Sequence, residues 1–240
     1  MTPIPAQDRL IVALDLSDVP AAERLVDQLD GVATFFKVGL TLQLAPGVER
    51  LIQSLIDRGK RVFLDYKYYD IPETIRKAVS RASERGVSFL TIHGSSSLIK
   101  AAVEGCGSSG MKLFTVTVLT SWDKSDLLDM GYSQHAVDEL VLFRARKALE
   151  AGCDGVIASG REAQAIRELT DKLLVVTPGI RPDGYGEDDQ KRRTTPADAI
   201  QAGADYLVIG RPITGAADPR VASQQILEEM QKAFDQAARN

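Results

Sequence analysis

Short, nearly continuous apolar runs alternate along this chain with longer stretches in which apolar residues recur every three or four positions. The short runs predict strands at Leu10–Asp15, Thr34–Gly39, Val62–Lys67, Phe89–His93, Leu113–Val118, Gly155–Ser159, Leu173–Thr177 and Tyr206–Ile209. Strands that are apolar on successive residues are covered on both faces, as in parallel sheets flanked by helices. The longer stretches predict helices over Pro20–Leu29, Leu42–Arg58, Pro72–Arg85, Ser97–Glu104, Ala136–Ala151, Glu162–Leu169, Pro196–Ala202 and Pro219–Ala238. One helix follows each strand. Eight such units in 240 residues predict a single α/β domain over residues 1–240, a (β/α)8 TIM barrel. A doubly wound sheet is the runner-up, because periodicity does not register barrel closure.

The punctuation agrees. Pro72, Pro196 and Pro212 stand at predicted helix starts, where a missing N–H costs nothing. Gly59 and Gly86 follow helical patterns, where a left-handed cap is useful. Two connections, Thr120–Gln134 and Gly179–Thr195, are longer and more polar than a simple link needs, which marks them as candidate lids or binding loops.

Composition narrows the function classes. The apolar fraction of 44% supports a sizeable core. The net charge of −4, with both signs mixed along the chain, argues against a nucleic-acid or polybasic membrane surface. No apolar run approaches a membrane span. Residues Met1–Asp8 lack the basic and apolar segments of a signal peptide. Cys106 and Cys153 have no paired spacing and read as reduced thiols, so the expected location is cytoplasmic. With His93 and His135 the only histidines, a His/Cys zinc site is not expected.

Charge enters where apolar runs end. In Val62-Phe63-Leu64-Asp65-Tyr66-Lys67-Tyr68-Tyr69-Asp70, the pair Asp65 and Lys67 closes the third strand, and Asp70 follows in its loop. Positions two apart on a strand share a face, so Asp65 and Lys67 are expected to project together. Asp15 ends strand one and Lys37 lies late in strand two. Thr120 follows strand five, Arg181 and Gln190 follow strand seven, and Gly210 and Arg211 follow strand eight. A strand-end residue bonded to its own loop explains any one of these. Their collection at the C-terminal strand ends, the catalytic face of barrel enzymes, points to a site. Gly210-Arg211-Pro212 at the last strand suits a phosphate, held by backbone N–H groups and a guanidinium fork. Trp122, His93 and Cys153 read as structural, and Glu187-Asp188-Asp189 with Lys191-Arg192-Arg193 as a solvated loop face.

These residues resemble the orotidine 5'-phosphate decarboxylase family over nearly the whole chain. The resemblance is carried by Ile11-Val12-Ala13-Leu14-Asp15, Phe36-Lys37-Val38-Gly39, Asp65-Tyr66-Lys67-Tyr68-Tyr69-Asp70-Ile71-Pro72-Glu73-Thr74, Leu119-Thr120-Ser121, Thr177-Pro178-Gly179-Ile180-Arg181, Asp189-Gln190 and Ile209-Gly210-Arg211, in that order. Tyr69 and Glu73 depart from the signature, which often has histidine and asparagine there.

The resemblance implies a cofactor-free, metal-free decarboxylase of pyrimidine biosynthesis, yielding UMP. It implies a catalytic set of Lys37, Asp65, Lys67 and Asp70, with Lys67 protonating carbon 6 of the ring and Asp70 supplied by the second chain of a homodimer. It also implies that Asp15 and Lys37 hold the ribose, that Thr120 contacts the base, and that Arg181, Gln190, Gly210 and Arg211 serve the phosphate. Thr74 belongs to the implied substrate-binding set. Two rivals stand beside this reading. One is a metal-dependent sugar-phosphate decarboxylase or synthase on the same barrel; the other is a non-catalytic nucleotide-binding barrel.

Overall fold

The computed structural model describes residues 5–132, 136–186 and 192–237. Its elements run in chain order: α1 (Ala6–Arg9), β1 (Leu10–Ala13), α2 (Val19–Gln28), β2 (Phe35–Gly39), α3 (Leu40–Gln43), α4 (Val48–Asp57), β3 (Arg61–Tyr68), α5 (Pro72–Ser83), β4 (Phe89–Ile92) and α6 (Ser96–Cys106). Then follow β5 (Lys112–Val116), α7 (Lys124–Asp129), α8 (Val137–Glu150), β6 (Gly155–Ile157), α9 (Gly160–Leu169), β7 (Leu174–Thr177), α10 (Pro196–Gln201), β8 (Tyr206–Ile209), α11 (Arg211–Thr214) and α12 (Pro219–Ala237).

The eight strands are parallel and close into a barrel in sequence order. Closure is made by β1 on β8, with Leu10 opposite Leu207 and Val12 opposite Ile209. All eight predicted strands are present, four of them a residue or two shorter at the C-terminal end. The barrel replaces the doubly wound alternative.

The pairing of one helix to each strand does not hold. Predicted helix Leu42–Arg58 is two helices, α3 and α4, because Pro46-Gly47 interrupts it and Gly47 takes φ +89°. In α4, Val48, Leu51, Ile52 and Leu55 form the buried stripe. Two helices likewise follow β5 and β8. The connection after β5, expected as a loop, carries α7, which opens on a capping box: the Asp123 side chain accepts from the Ser125 and Asp126 amides, and Asp126 accepts from the Asp123 amide.

Alternate residues of each strand fill the barrel interior. At its N-terminal end Phe35, Phe63, Phe89, Phe114 and Tyr206 pack together, Phe89 lying 4.8 Å from Phe35 and 4.5 Å from Phe114 between ring centres. Gly155 makes room for this layer, since a β-carbon there would stand 2.6 Å from the Phe114 ring. The complementary faces of the strands pack against the helices in a second, larger core.

Candidate active site

Following the same strands upward, the interior turns from aromatic to ionised. Ile11 and Ala13 of β1 lead to Asp15; Phe35 of β2 leads to Lys37; Phe63 of β3 leads to Asp65. Asp15, Lys37 and Asp65 line a cavity of about 540 Å³ at the C-terminal mouth, whose floor includes Ala13, Phe63, Val116, Ile157 and Val208. That volume lies within the usual range of small-ligand sites.

Four charges run across the cavity wall in alternating sign. Lys37 Nζ donates to Asp15 Oδ1 at 2.8 Å and to Oδ2 at 3.1 Å. It also lies 3.4 Å from Asp65 Oδ2. Lys67 Nζ donates to the other oxygen of Asp65 at 2.9 Å. Lys37 is the deepest, 7% exposed. Burial alone would push its ammonium down, but Asp65 and Asp15 outweigh burial and hold it above the usual lysine value. Burial would likewise raise the Asp65 carboxyl, yet Lys37 and Lys67 hold it below the usual carboxylate value. Lys37 and Asp65 are therefore both ionised near neutrality.

Lys67 reaches Asp65 by a route the simple two-residue alternation does not describe. The pairing of β3 with β4 is irregular between Leu64 and Tyr68. Within that bulge Lys67 takes φ +48°, unlike every other described non-glycine residue. Such a conformation costs roughly 1–2 kcal/mol, and bulges of this kind re-aim side chains beside active sites. Thr91 of β4 holds the bulge: its hydroxyl accepts from the Lys67 amide and donates to Asp65 Oδ1, both at 2.9 Å. Thr91 was not anticipated from sequence, where it is one hydroxyl inside an apolar strand. Gly39 is a second unanticipated requirement. A β-carbon there would stand 2.7 Å from Asp15 Oδ1 and 2.8 Å from Lys37 Nζ.

Opposite the charges, Thr120 and Ser121 after β5, Pro178, Gly179 and Arg181 after β7, and Gly210 and Arg211 after β8 complete the lining. Arg181 is buried, its Nη1 donating to the Ile180 carbonyl at 2.8 Å and its guanidinium lying 5.4 Å from the Tyr185 ring centre. Gly179 has φ +77°, a turn that favours glycine. At Gly210 an added β-carbon would meet only Ala13, at 3.5 Å, so its backbone faces open space. Arg211 begins α11 and is exposed.

Two expected residues are not brought to this cavity within the chain. Asp70 is exposed, and its Oδ1 accepts from the Ile71 amide at 2.6 Å. Thr74 is exposed on the first turn of α5. Gln190 lies outside the described residues, as do Glu187, Asp188, Asp189, Lys191 and His135.

The charge run near residue 190 is corrected at one position. Arg192 is not on a solvated face: it is 6% exposed and paired with Glu162 at 2.7 Å. Burial pushes the Glu162 carboxyl up, and Arg192 only partly opposes this. The partner lies thirty positions away in sequence, so no local pattern announces the pair. His93 is half-buried against Tyr69, with ring centres 5.8 Å apart. Burial first, then Arg144 and Lys67, push its pKa down. Cys153 is buried, its thiol pushed up to about 12 by desolvation.

Chemically, the site offers a fixed ammonium beside an apolar floor at one end and cationic groups with open backbone at the other. Among the described residues no group of three or more His, Cys, Asp or Glu side chains is placed to hold a metal.

Comparison with known proteins bears on this arrangement. Residues 8–226 match the model of the orotidine 5'-phosphate decarboxylase / HUMPS family. The orotidine 5'-phosphate decarboxylase of Nitrobacter winogradskyi is 53% identical over 230 residues, 95% of each chain. That of Methylococcus capsulatus is 49% identical over 234 residues, covering 97% of this chain and 96% of the relative. The crystal structure of orotidine 5'-phosphate decarboxylase from Lactobacillus acidophilus superposes with a TM-score of 0.81 at 35% identity, covering 93% of this chain and 99% of the other.

Proposed function

We infer that this chain, which belongs to the orotidine 5'-phosphate decarboxylase / HUMPS family, decarboxylates orotidine 5'-phosphate to UMP and carbon dioxide in pyrimidine biosynthesis. The observation that carries the reading is the position of Lys67, held 2.9 Å from Asp65 at the cavity wall by a strained bulge.

Loss of carbon dioxide leaves an electron pair on carbon 6, in the plane of the ring. The Lys67 ammonium stabilises that charge and then protonates the carbon. Two unit charges about 4 Å apart interact by roughly 4 kcal/mol at an effective dielectric near 20. Enzymes lower barriers by about 8–23 kcal/mol, so one contact is insufficient. The fixed, alternating network supplies the rest of the local field without reorganisation. Remote binding of the phosphate contributes further, through interactions used at the transition state.

Asp15 and Lys37 take the ribose hydroxyls and Thr120 the base. Arg181, Gln190, Gly210 and Arg211 take the phosphate. The metal-dependent rival fits the charges poorly: both oxygens of Asp65 already face an ammonium, and a divalent cation would have to displace both.

The carboxylate of Asp70 acts in a second copy of the chain, together with Thr74. The support is geometric. Asp70 faces solvent between Tyr69, 73% exposed, and Ile71, 66% exposed, and such apolar groups suit a self-complementary contact. Mixing inactive Lys67→Ala and Asp70→Ala proteins then regenerates activity, because half of the sites in a mixed dimer carry neither substitution. No recovery after demonstrated subunit exchange places Asp70 in its own site.

The direct assay follows the loss of orotidine 5'-phosphate absorbance with purified protein before and after dialysis against EDTA. Turnover that survives dialysis is expected. No turnover sinks the assignment; activity lost on chelation and regained with magnesium moves it to the metal-dependent rival.

A further inference from the structure

The loop after β7 returns to the barrel through a buried ion pair that the reaction above does not use. Arg192 Nη1 donates to Glu162 Oε1 at 2.7 Å. Its Nη2 donates to the carbonyls of Val118 and Leu119, both at 2.9 Å. Its amide donates to the Thr120 carbonyl at 3.3 Å, and its own carbonyl accepts from Ser159 Oγ at 3.1 Å. One residue of the β7 loop is thus bonded, by side chain and both backbone groups, to the loop after β5 and the start of α9. Two positions on, the Thr194 carbonyl accepts from the Arg181 amide at 2.9 Å. The segment 192–194 therefore spans the gap between two cavity walls, Leu119–Ser121 and Pro178–Arg181.

This arrangement is poorly explained as a stability device. Replacing a buried ion pair with apolar residues is often neutral or favourable. Here the pair is also incompletely satisfied: Glu162 Oε2 and Arg192 Nε are buried and have no hydrogen-bond partner among the described residues. What the pair does provide is a rigid fork that fixes consecutive carbonyls, a task that an apolar side chain cannot perform. The packing around it has no slack. Gly160, first residue of α9, would place a β-carbon 2.5 Å from Thr194 Oγ1.

We propose that Glu162 and Arg192 form a positioning clamp that locks the β5 and β7 walls of the cavity together, so that binding energy gained at the phosphate end reaches the wall over the base. This rests on the functional reading above and deepens it. Neither residue lines the cavity, so both act through the walls they hold.

The test compares orotidine 5'-phosphate with the phosphate-free nucleoside orotidine as substrates. The double variant Glu162→Leu/Arg192→Met removes both charges and leaves neither buried alone. Its kcat/KM for orotidine 5'-phosphate is expected to fall roughly 100-fold, the scale of a small misplacement, while that for orotidine changes by less than about threefold. A merely structural role lowers both equally, and that result, or no loss on either, overturns the clamp. Arg192→Lys, a point charge without the fork, is expected to restore little.

If the double variant does not fold, Gly160→Ala wedges the same anchor without touching a charge. The same phosphate-selective loss, smaller in size, is expected there; equal loss on both substrates or none overturns the proposal. If the native protein turns over neither substrate, the functional reading fails on its own. Amide hydrogen exchange in Glu162→Gln then decides the clamp. Faster exchange in both walls together supports it; exchange unchanged, or faster in one wall only, refutes it.

Discussion

On β2, Phe35 and Lys37 stand two residues apart and enter the same barrel, one among aromatic rings and the other between two carboxylates. On β3 the sequence Arg61, Phe63, Asp65 repeats the contrast. The N-terminal end carries a cation too, but it is spent on packing. The Arg61 guanidinium lies 4.1 Å from the Phe35 ring centre and 5.6 Å from that of Tyr206, and its Nη1 donates to the Asp8 carbonyl at 3.0 Å. At the mouth, Lys37 and Lys67 are held by carboxylates around a cavity, and Lys67 is strained. One end stores apolar burial and contributes to stability. The other stores an electric field, and a field held open to a ligand is costly in folding terms. Stability and activity should therefore separate along the barrel axis.

The largest break in that comparison is expected from Lys67→Ala. It removes both the local positive charge and the proton donor. Loss of one preorganised electrostatic contact costs about 10²–10³ in rate, and loss of a general acid about 10²–10⁴. A fall in kcat of roughly 10⁴-fold or more is expected, with Tm changed by about 4 °C or less. A large fall in Tm would show that the mouth contributes to folding as the aromatic end does. Near-native kcat would remove Lys67 from the chemistry.

Phe89→Ala tests the opposite end. Phe89 touches Phe35, Phe63, Phe114 and Tyr206, and its loss should destabilise by about 3–5 kcal/mol. Urea unfolding gives that number, and kcat/KM of the folded protein at low temperature should stay within about twofold. Arg61→Met should cost less, about 1–3 kcal/mol, from one charged hydrogen bond and the ring contacts. It too should leave turnover alone. A Phe89 or Arg61 variant that folds stably yet loses activity would break the separation.

The two ends also differed in how legible they were in the sequence. The strands follow from apolar periodicity, which is local information. Asp65 and Lys67 were legible because charges closing an apolar run conflict with burial. The bulge that joins them was not, because it depends on Thr91 in the neighbouring strand, and a lone hydroxyl carries no marker. Arg192 reads as solvated because its chain neighbours are charged, while its true environment is made by Glu162 and the loop after β5. Gly39 reads in the sequence only as part of a strand; its role lies in space left for Asp15 and Lys37. Each miss is a tertiary relation written into no short window. The break of the second predicted helix, by contrast, was available in Pro46-Gly47 and was outweighed by the apolar pattern on either side.

The finest separation of the two ends is expected in the pH dependence of stability. Burial works against the ionised form of Asp65, and Lys37 and Lys67 outweigh it, so its folded pKa lies below the usual value. As pH falls, the unfolded chain takes up this proton first, near pH 4. The stabilisation is therefore fully present above about pH 4 and is lost as pH falls through the lower folded value. Lys37 has the opposite sign. Its folded pKa is raised by Asp65 and Asp15 against burial, so its contribution is fully present below about pH 10.4 and is lost as pH rises through the folded value. Between these limits neither group gives a slope. In Lys37→Met, burial of Asp65 is opposed by Lys67 and Thr91 alone, and its pKa should rise. The acid limb of a plot of Tm against pH should then move to higher pH. Phe89→Ala leaves the partners of Asp65 and Lys37 unchanged, so the whole curve should drop without moving that limb. Tm measured from pH 3 to 8 for the three proteins distinguishes the cases. A Lys37→Met curve parallel to the native one would show that Lys37 does not hold the charge on Asp65, and the field at the mouth would then rest on Lys67.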